Sequence, residues 1–77
     1  MMKVSVYPNP VYNSLNIKAP ELIQDVKIYN LQGMLIYDRK YNDNDVIINL
    51  PGHLATGIYQ VVIQTETTQQ IFKIIKK

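Results

Sequence analysis

Apolar residues along this chain recur at every second position in short runs, the spacing of a strand with one face buried. No stretch shows the three-to-four spacing of an amphipathic helix. The pattern is clearest in residues 59–63, where Tyr59, Val61 and Ile63 share one face and Gln60 and Val62 the other. A polar turn, Thr65-Glu66-Thr67-Thr68, follows, and residues 69–75 return as a second strand with Phe72 and Ile74 on one side. Upstream, Val4 and Val6 alternate with polar neighbours, as do Leu15 and Ile17, Val26 and Ile28, and Val46 and Ile48. In Met34-Leu35-Ile36-Tyr37 four apolar side chains run together, and Leu35 and Tyr37 are expected inward, leaving Met34 and Ile36 outside.

The breakers between these runs fix the rest of the layout. Pro8-Asn9-Pro10 removes two backbone donors and locks two φ angles, so the first strand must end there. Each proline also holds the residue before it extended, and the segment reads as a rigid link continued by Val11-Tyr12-Asn13. Ala19-Pro20-Glu21 is expected to end the strand of residues 14–18. Leu31-Gln32-Gly33 is a tight turn whose glycine supplies positive φ without steric cost. Asn42-Asp43-Asn44-Asp45 reads as a turn, because Asn and Asp bond their own backbone. A calcium loop would need a glycine at its sixth position and a glutamate at its twelfth, which the cluster lacks. Residues 50–57 form a loop.

Seven short strands result, and they predict an all-β antiparallel sandwich with Greek-key connections. Its expected core is Val4, Val6, Leu15, Ile17, Val26, Ile28, Leu35, Val46, Ile48, Leu50, Tyr59, Val61, Ile63, Phe72 and Ile74. Gly57 is expected where a side chain would clash or where φ is unusual.

Length and composition narrow the function. At 77 residues the chain is one small domain that buries only about 60% of its unfolded surface. Cysteine is absent, so no disulfide or thiolate metal site staples it. A net charge of +2 with 18% charged residues is too mild for a nucleic-acid footprint. The six tyrosines are expected to fill the core and cross-strand pairs. No run reaches the roughly 20 apolar residues that span a bilayer, so no membrane insertion is expected. The start, Met1-Met2-Lys3-Val4-Ser5-Val6, lacks the apolar segment of a signal peptide. Candidate chemistry is thin. His53 is the single histidine and cannot build a zinc site alone. Ser5 and Ser14 lie in strands without a nearby base, and Asp43 and Asp45 lack an apolar wall to raise either pKa. The three glycines stand apart, so no phosphate-cradling loop exists. The chain reads as non-enzymatic and without a cofactor.

Four motifs in order carry a family resemblance across essentially the whole chain. They are Tyr7-Pro8-Asn9-Pro10-Val11 with Ser14-Leu15-Asn16-Ile17, then Val26-Lys27-Ile28-Tyr29-Asn30-Leu31-Gln32-Gly33, then Leu54-Ala55-Thr56-Gly57-Ile58-Tyr59-Gln60-Val61, and finally Phe72-Lys73-Ile74-Ile75-Lys76-Lys77. The chain resembles the C-terminal sorting domain of type IX secretion substrates, although Phe72 stands where a smaller aliphatic residue is expected.

The resemblance implies an immunoglobulin-like sandwich over residues 1–77, belonging to a larger secreted parent that carries its own signal peptide. It implies a transport address read by the outer-membrane translocon after the cargo reaches the periplasm. A surface sortase would then remove the domain, with cargo released or joined to lipopolysaccharide. Lys73, Ile74, Ile75, Lys76 and Lys77 would be the recognised tip, to which a partner could add a strand at an open edge. Pro8, Asn9, Pro10, Tyr29, Asn30, Gly33, Leu54, Gly57 and Tyr59 would be structural motif residues. Residue chemistry alone leaves the terminal lysines equally able to guard an edge strand against aggregation. A second reading is a small adhesive or carbohydrate-binding sandwich that grips sugar rings with Tyr12, Tyr29 and Tyr41.

Overall fold

The computed structural model of the chain describes residues 3–77; Met1 and Met2, with which the stretch read for a signal segment opens, lie outside the described residues. Five antiparallel strands build it: β1 (Ser5–Tyr7), β2 (Ser14–Tyr29), β3 (Leu35–Asn49), β4 (Gly57–Thr65) and β5 (Gln69–Lys76). The expectation of seven strands is corrected here, because β2 and β3 each run through two of the predicted segments without a break.

The reason is a bend. Pairing between β2 and β3 slips at Lys18/Ile23 and again at Ile23/Asp25, and such bulges turn a strand without ending it. Pro20 sits in the slipped stretch, where a missing backbone donor costs no ladder bond, and so Ala19-Pro20-Glu21 does not terminate the strand. Across from it, residues 42–45 continue β3 rather than turn. The Asn44 amide donates to the Ala19 carbonyl at 3.1 Å, and the Asp45 N–H donates to Asp43 Oδ1 at 3.2 Å. The polar cluster therefore ties the bend from its outer side.

On one side of the bend, the first half of β2 lies between β1 and the second half of β3. On the other, the second half of β2 lies between β3 and β4, and β5 completes that layer. Both halves feed one core, in which Leu15, Ile17, Val46 and Ile48 from the first layer join Val26, Ile28, Val61, Ile63 and Ile74 from the second. The inward faces of β2, β4 and β5 are those the alternation predicts.

Three positions depart from it. Leu35 is 47% exposed, whereas Ile36 and Tyr37 are half-buried against the core. Ile28 pairs with Tyr37 but Tyr29 pairs with Leu35, so Ile36 is the extra residue of a bulge and the alternation resets there. Ile23, fully buried, sits in the bend. Val11, expected in the link, is also fully buried.

The Thr65–Thr68 turn is held by Glu21, whose carboxylate accepts from Thr65 Oγ1 at 2.9 Å and Thr67 Oγ1 at 2.8 Å. The Thr67 hydroxyl, then that of Thr65, hold the Glu21 carboxyl below its ordinary value of 4.5. A depressed carboxylate stabilises the fold above its unfolded pKa, and that contribution disappears as pH falls through the lower folded pKa. Stability is expected to decline as pH drops below about 4.5, with a shallower decline in Glu21→Gln. Urea midpoints measured from pH 7 to pH 3 check this. Parallel profiles for the two proteins would rule out the Glu21 contribution.

Candidate functional site

Residues far apart in sequence meet at one end of the second layer. Asn9 follows β1, where Tyr7-Pro8 and Asn9-Pro10 are both cis peptides, and it lies against the outer edge of β5. Its side-chain amide behaves like a strand backbone there. Asn9 Nδ2 donates to the Lys73 carbonyl at 3.2 Å, and the Ile75 N–H donates to Asn9 Oδ1 at 2.9 Å. Val11 extends the pairing in parallel with its main chain: its N–H donates to the Ile75 carbonyl and its carbonyl accepts from the Lys77 N–H, both at 2.8 Å. The rigid Pro-Asn-Pro link is thus a clasp over residues 73–77. The prolines, which lack N–H donors, leave this work to Asn9 and Val11.

This clasp corrects the expectation of an open edge at the terminal strand. The outward backbone groups of Ile75 are taken on both sides, as are the Lys73 carbonyl and the Lys77 N–H. It also corrects the expected exposure of the whole tip. Lys73, Ile75 and Lys77 are exposed and Lys76 is half-buried, but Ile74 is 2% exposed and belongs to the core. Asn9→Ala is expected to cost about 1 kcal/mol, because water replaces part of what the amide gave at this exposed edge. Amide exchange at Ile75 should become several-fold faster, and an unchanged rate would show the clasp to be idle.

The other motifs arrive at the same end. Asn30 opens the β2–β3 turn, where its Oδ1 accepts from the N–H groups of Gln32 and Met34 at 3.0 and 2.9 Å. The Gly33 N–H closes on the Asn30 carbonyl at 3.0 Å, with Gly33 at φ +87°. This is a turn followed by a left-handed glycine, the usual three-residue hairpin link. Beside it, residues 54–57 lead into β4, and Tyr59 donates its hydroxyl back to the Ala55 carbonyl at 2.6 Å. That bond clips the loop as the tyrosine corner of many sandwiches does. Gly57 has φ +148°, so the expectation of unusual backbone holds, whereas a Cβ there would meet nothing within 4 Å. An open cleft of about 320 Å³ lies between the two segments, lined by residues 30–32 and 55–59. Tyr29 forms part of the ladder next to Gln60, and Leu54 packs half-buried on the core.

Chemically the end is poor in reactive groups. Among the described residues no cluster of His, Asp or Glu could hold a metal ion, and no helix is long and apolar enough to cross a membrane. The tyrosines named for a sugar-binding reading have unlike surroundings. Tyr12 is 60% exposed, but Tyr41 packs on the core and its hydroxyl pairs with that of Tyr37. Burial, with that bond, pushes the Tyr41 pKa up to about 12. Sequence reasoning missed Val11, whose signal was a β-branched residue directly after the prolines, and, although alternation sets Ile58 on the face away from Tyr59, Val61 and Ile63, it did not single out Ile58 and Ile71 as an exposed row.

Comparison with known proteins places these features. A family model described as the secretion system C-terminal sorting domain matches residues 5–77. An ulvan lyase, NLR42, from Nonlabens ulvanivorans is 33% identical over 61 residues, covering 78% of this chain and 11% of the lyase. A structure of PorZ, described as an essential bacterial surface component of the type IX secretion system of Porphyromonas gingivalis, superimposes with a TM-score of 0.77. The identity there is 24%, over 96% of this chain and 11% of PorZ. The chain thus spans about a tenth of the length of each of these relatives.

Proposed function

The chain belongs to the secretion system C-terminal sorting domain family, and from that premise we propose that it is the export address of a larger type IX cargo protein. The observation that carries this reading is the family match over residues 5–77, nearly the whole chain. The parent enters the periplasm by its own signal peptide, is delivered to the outer-membrane translocon through this domain, and reaches the cell surface or the medium. A surface sortase then removes the domain, and the cargo is released or attached to lipopolysaccharide. The domain acts as a ligand and not as a catalyst, in keeping with its membership of a sorting-domain family. Residues 73–77 are the part addressed by the translocon, held in place by Asn9 and Val11.

The test joins a signal peptide and a fluorescent reporter to the domain in a bacterium with a working type IX system. A fusion without the domain, a translocon-deficient strain, and a fusion lacking residues 75–77 run beside it. The shortened fusion keeps the buried Ile74 but loses the partners of Asn9 and Val11, and thermal unfolding of the purified fusion checks that it remains folded. Reporter at the surface or in the medium only with the full domain and a working translocon is the expected result. Equal export with and without the domain, or retention in the periplasm throughout, would overturn the reading.

A further inference from the structure

The outward face of the second layer is divided into two regions. On β2 and β3 the charges satisfy one another, Asp25 lying 2.9 Å from Lys27 and 3.5 Å from Lys40, with Asp38 3.8 Å from Lys27. On β4 and β5 the outward row is mostly apolar. Register sets Ile58 across from Ile75, Gln60 across from Lys73, and Val62 across from Ile71. Ile71 is 61% exposed, Ile75 43% and Ile58 38%. Lys73 stands between Ile71 and Ile75 on the same strand and makes no ion pair with any described residue. Scattered apolar side chains on a surface need no explanation, but here two cross-strand apolar pairs flank, on either side, the one pair formed by Gln60 and the unpaired Lys73.

We infer that this row, Ile58, Val62, Ile71, Lys73 and Ile75, docks a protein surface of apolar side chains set around one carboxylate, which meets Lys73. The inference rests on the export reading and specifies how the tip is read. Over residues 73–77 the backbone edge is already occupied by Asn9 and Val11, so a partner cannot add a strand there. The outward side chains remain available. Their charge favours a protein over a lipid surface: one lysine among isoleucines and glutamines is far from the clusters of about four to eight basic residues that hold anionic bilayers. A carboxylate on the partner completes the charge of Lys73, which no described residue pairs, and the flanking isoleucines exclude water from that pair.

The experiment uses the same reporter fusion with the unaltered domain as reference. Lys73→Glu and Ile71→Ser alter the row, Lys73→Arg keeps its charge, and Ile47→Ser removes a side chain that is 66% exposed on the first layer. Thermal unfolding of each purified fusion confirms that it is folded. Export is expected to fall at least tenfold for Lys73→Glu and Ile71→Ser and to stay at the reference level for Lys73→Arg and Ile47→Ser. If the unaltered fusion is exported and the folded row variants are exported equally well, the docking face is wrong while the export reading stands. No export of the unaltered fusion would overturn both. Two further results would reassign the face: an unaltered fusion that sediments as a dimer and becomes monomeric with Ile71→Ser, or flotation with phosphatidylglycerol vesicles that Lys73→Glu abolishes.

Discussion

Ile74→Ala is expected to lose about 2–5 kcal/mol of folding stability, whereas Ile75→Ala should stay within about 0.5–1 kcal/mol of the unaltered domain. The two isoleucines are neighbours in one terminal motif, and the pleat sends them to opposite faces. Ile74 is 2% exposed, opposite Tyr59 and inside the common core, so truncation removes buried methyls and leaves a cavity. Ile75 is 43% exposed and loses little that water does not replace. For a domain of this length total stability is about 4–12 kcal/mol, so the first change takes about a sixth of it at the least and can take most of it. Urea titrations followed by far-ultraviolet circular dichroism read the difference. Equal losses would mean that the strand is not seated as described. The pair also separates folding from recognition: an export defect in Ile74→Ala follows from a loosened core, while one in Ile75→Ala does not.

Gly57→Ala should cost about 1–3 kcal/mol although the space beside it is empty. A φ of +148° is rarely adopted by an L-residue, so alanine must either hold a strained backbone or shift the start of β4. A shift would disturb Ile58 and Tyr59, and with Tyr59 the bond that clips the loop at Ala55. D-alanine at position 57, introduced by chemical ligation, prefers positive φ and should restore most of the loss. Thermal unfolding of the three proteins decides the matter. If L-alanine is tolerated without cost, the glycine is there for some reason other than its backbone.

The faces of β2, β4 and β5 were legible because a period of two needs only local sequence. Tyr59, Val61 and Ile63 could point only one way together, and they do. Leu35 was misplaced because a bulge at Ile36 resets the alternation, and four apolar residues in a row hide the reset. Residues 42–45 looked like a turn because the outer side of a bent strand has the same polar composition as a loop. The strand count fell from seven to five for that reason in β3 and, in β2, because Pro20 lies in a bulge where it ends nothing, with the class of fold unchanged. At the candidate site, Gly33 was readable from turn chemistry and Gly57 from its place before a strand, whereas Asn30 entered only through the family motif. The clasp was not. Asn9 and Ile75 are 66 residues apart, and no local pattern announces a partner at that separation.

That separation also orders assembly. Closing a loop of 66 residues costs more chain entropy than closing any of the hairpins, so the bonds of Asn9 and Val11 with β5 become favourable only after β2, β4 and β5 have aligned. Protection of the Lys77 amide should therefore be among the last to appear during refolding. Until then the terminal strand lies unfastened along one side. A finished edge on this strand is a mark of a completed domain, and a partner that reads its outward face meets that face in final form only on chains whose first and last segments have already found each other.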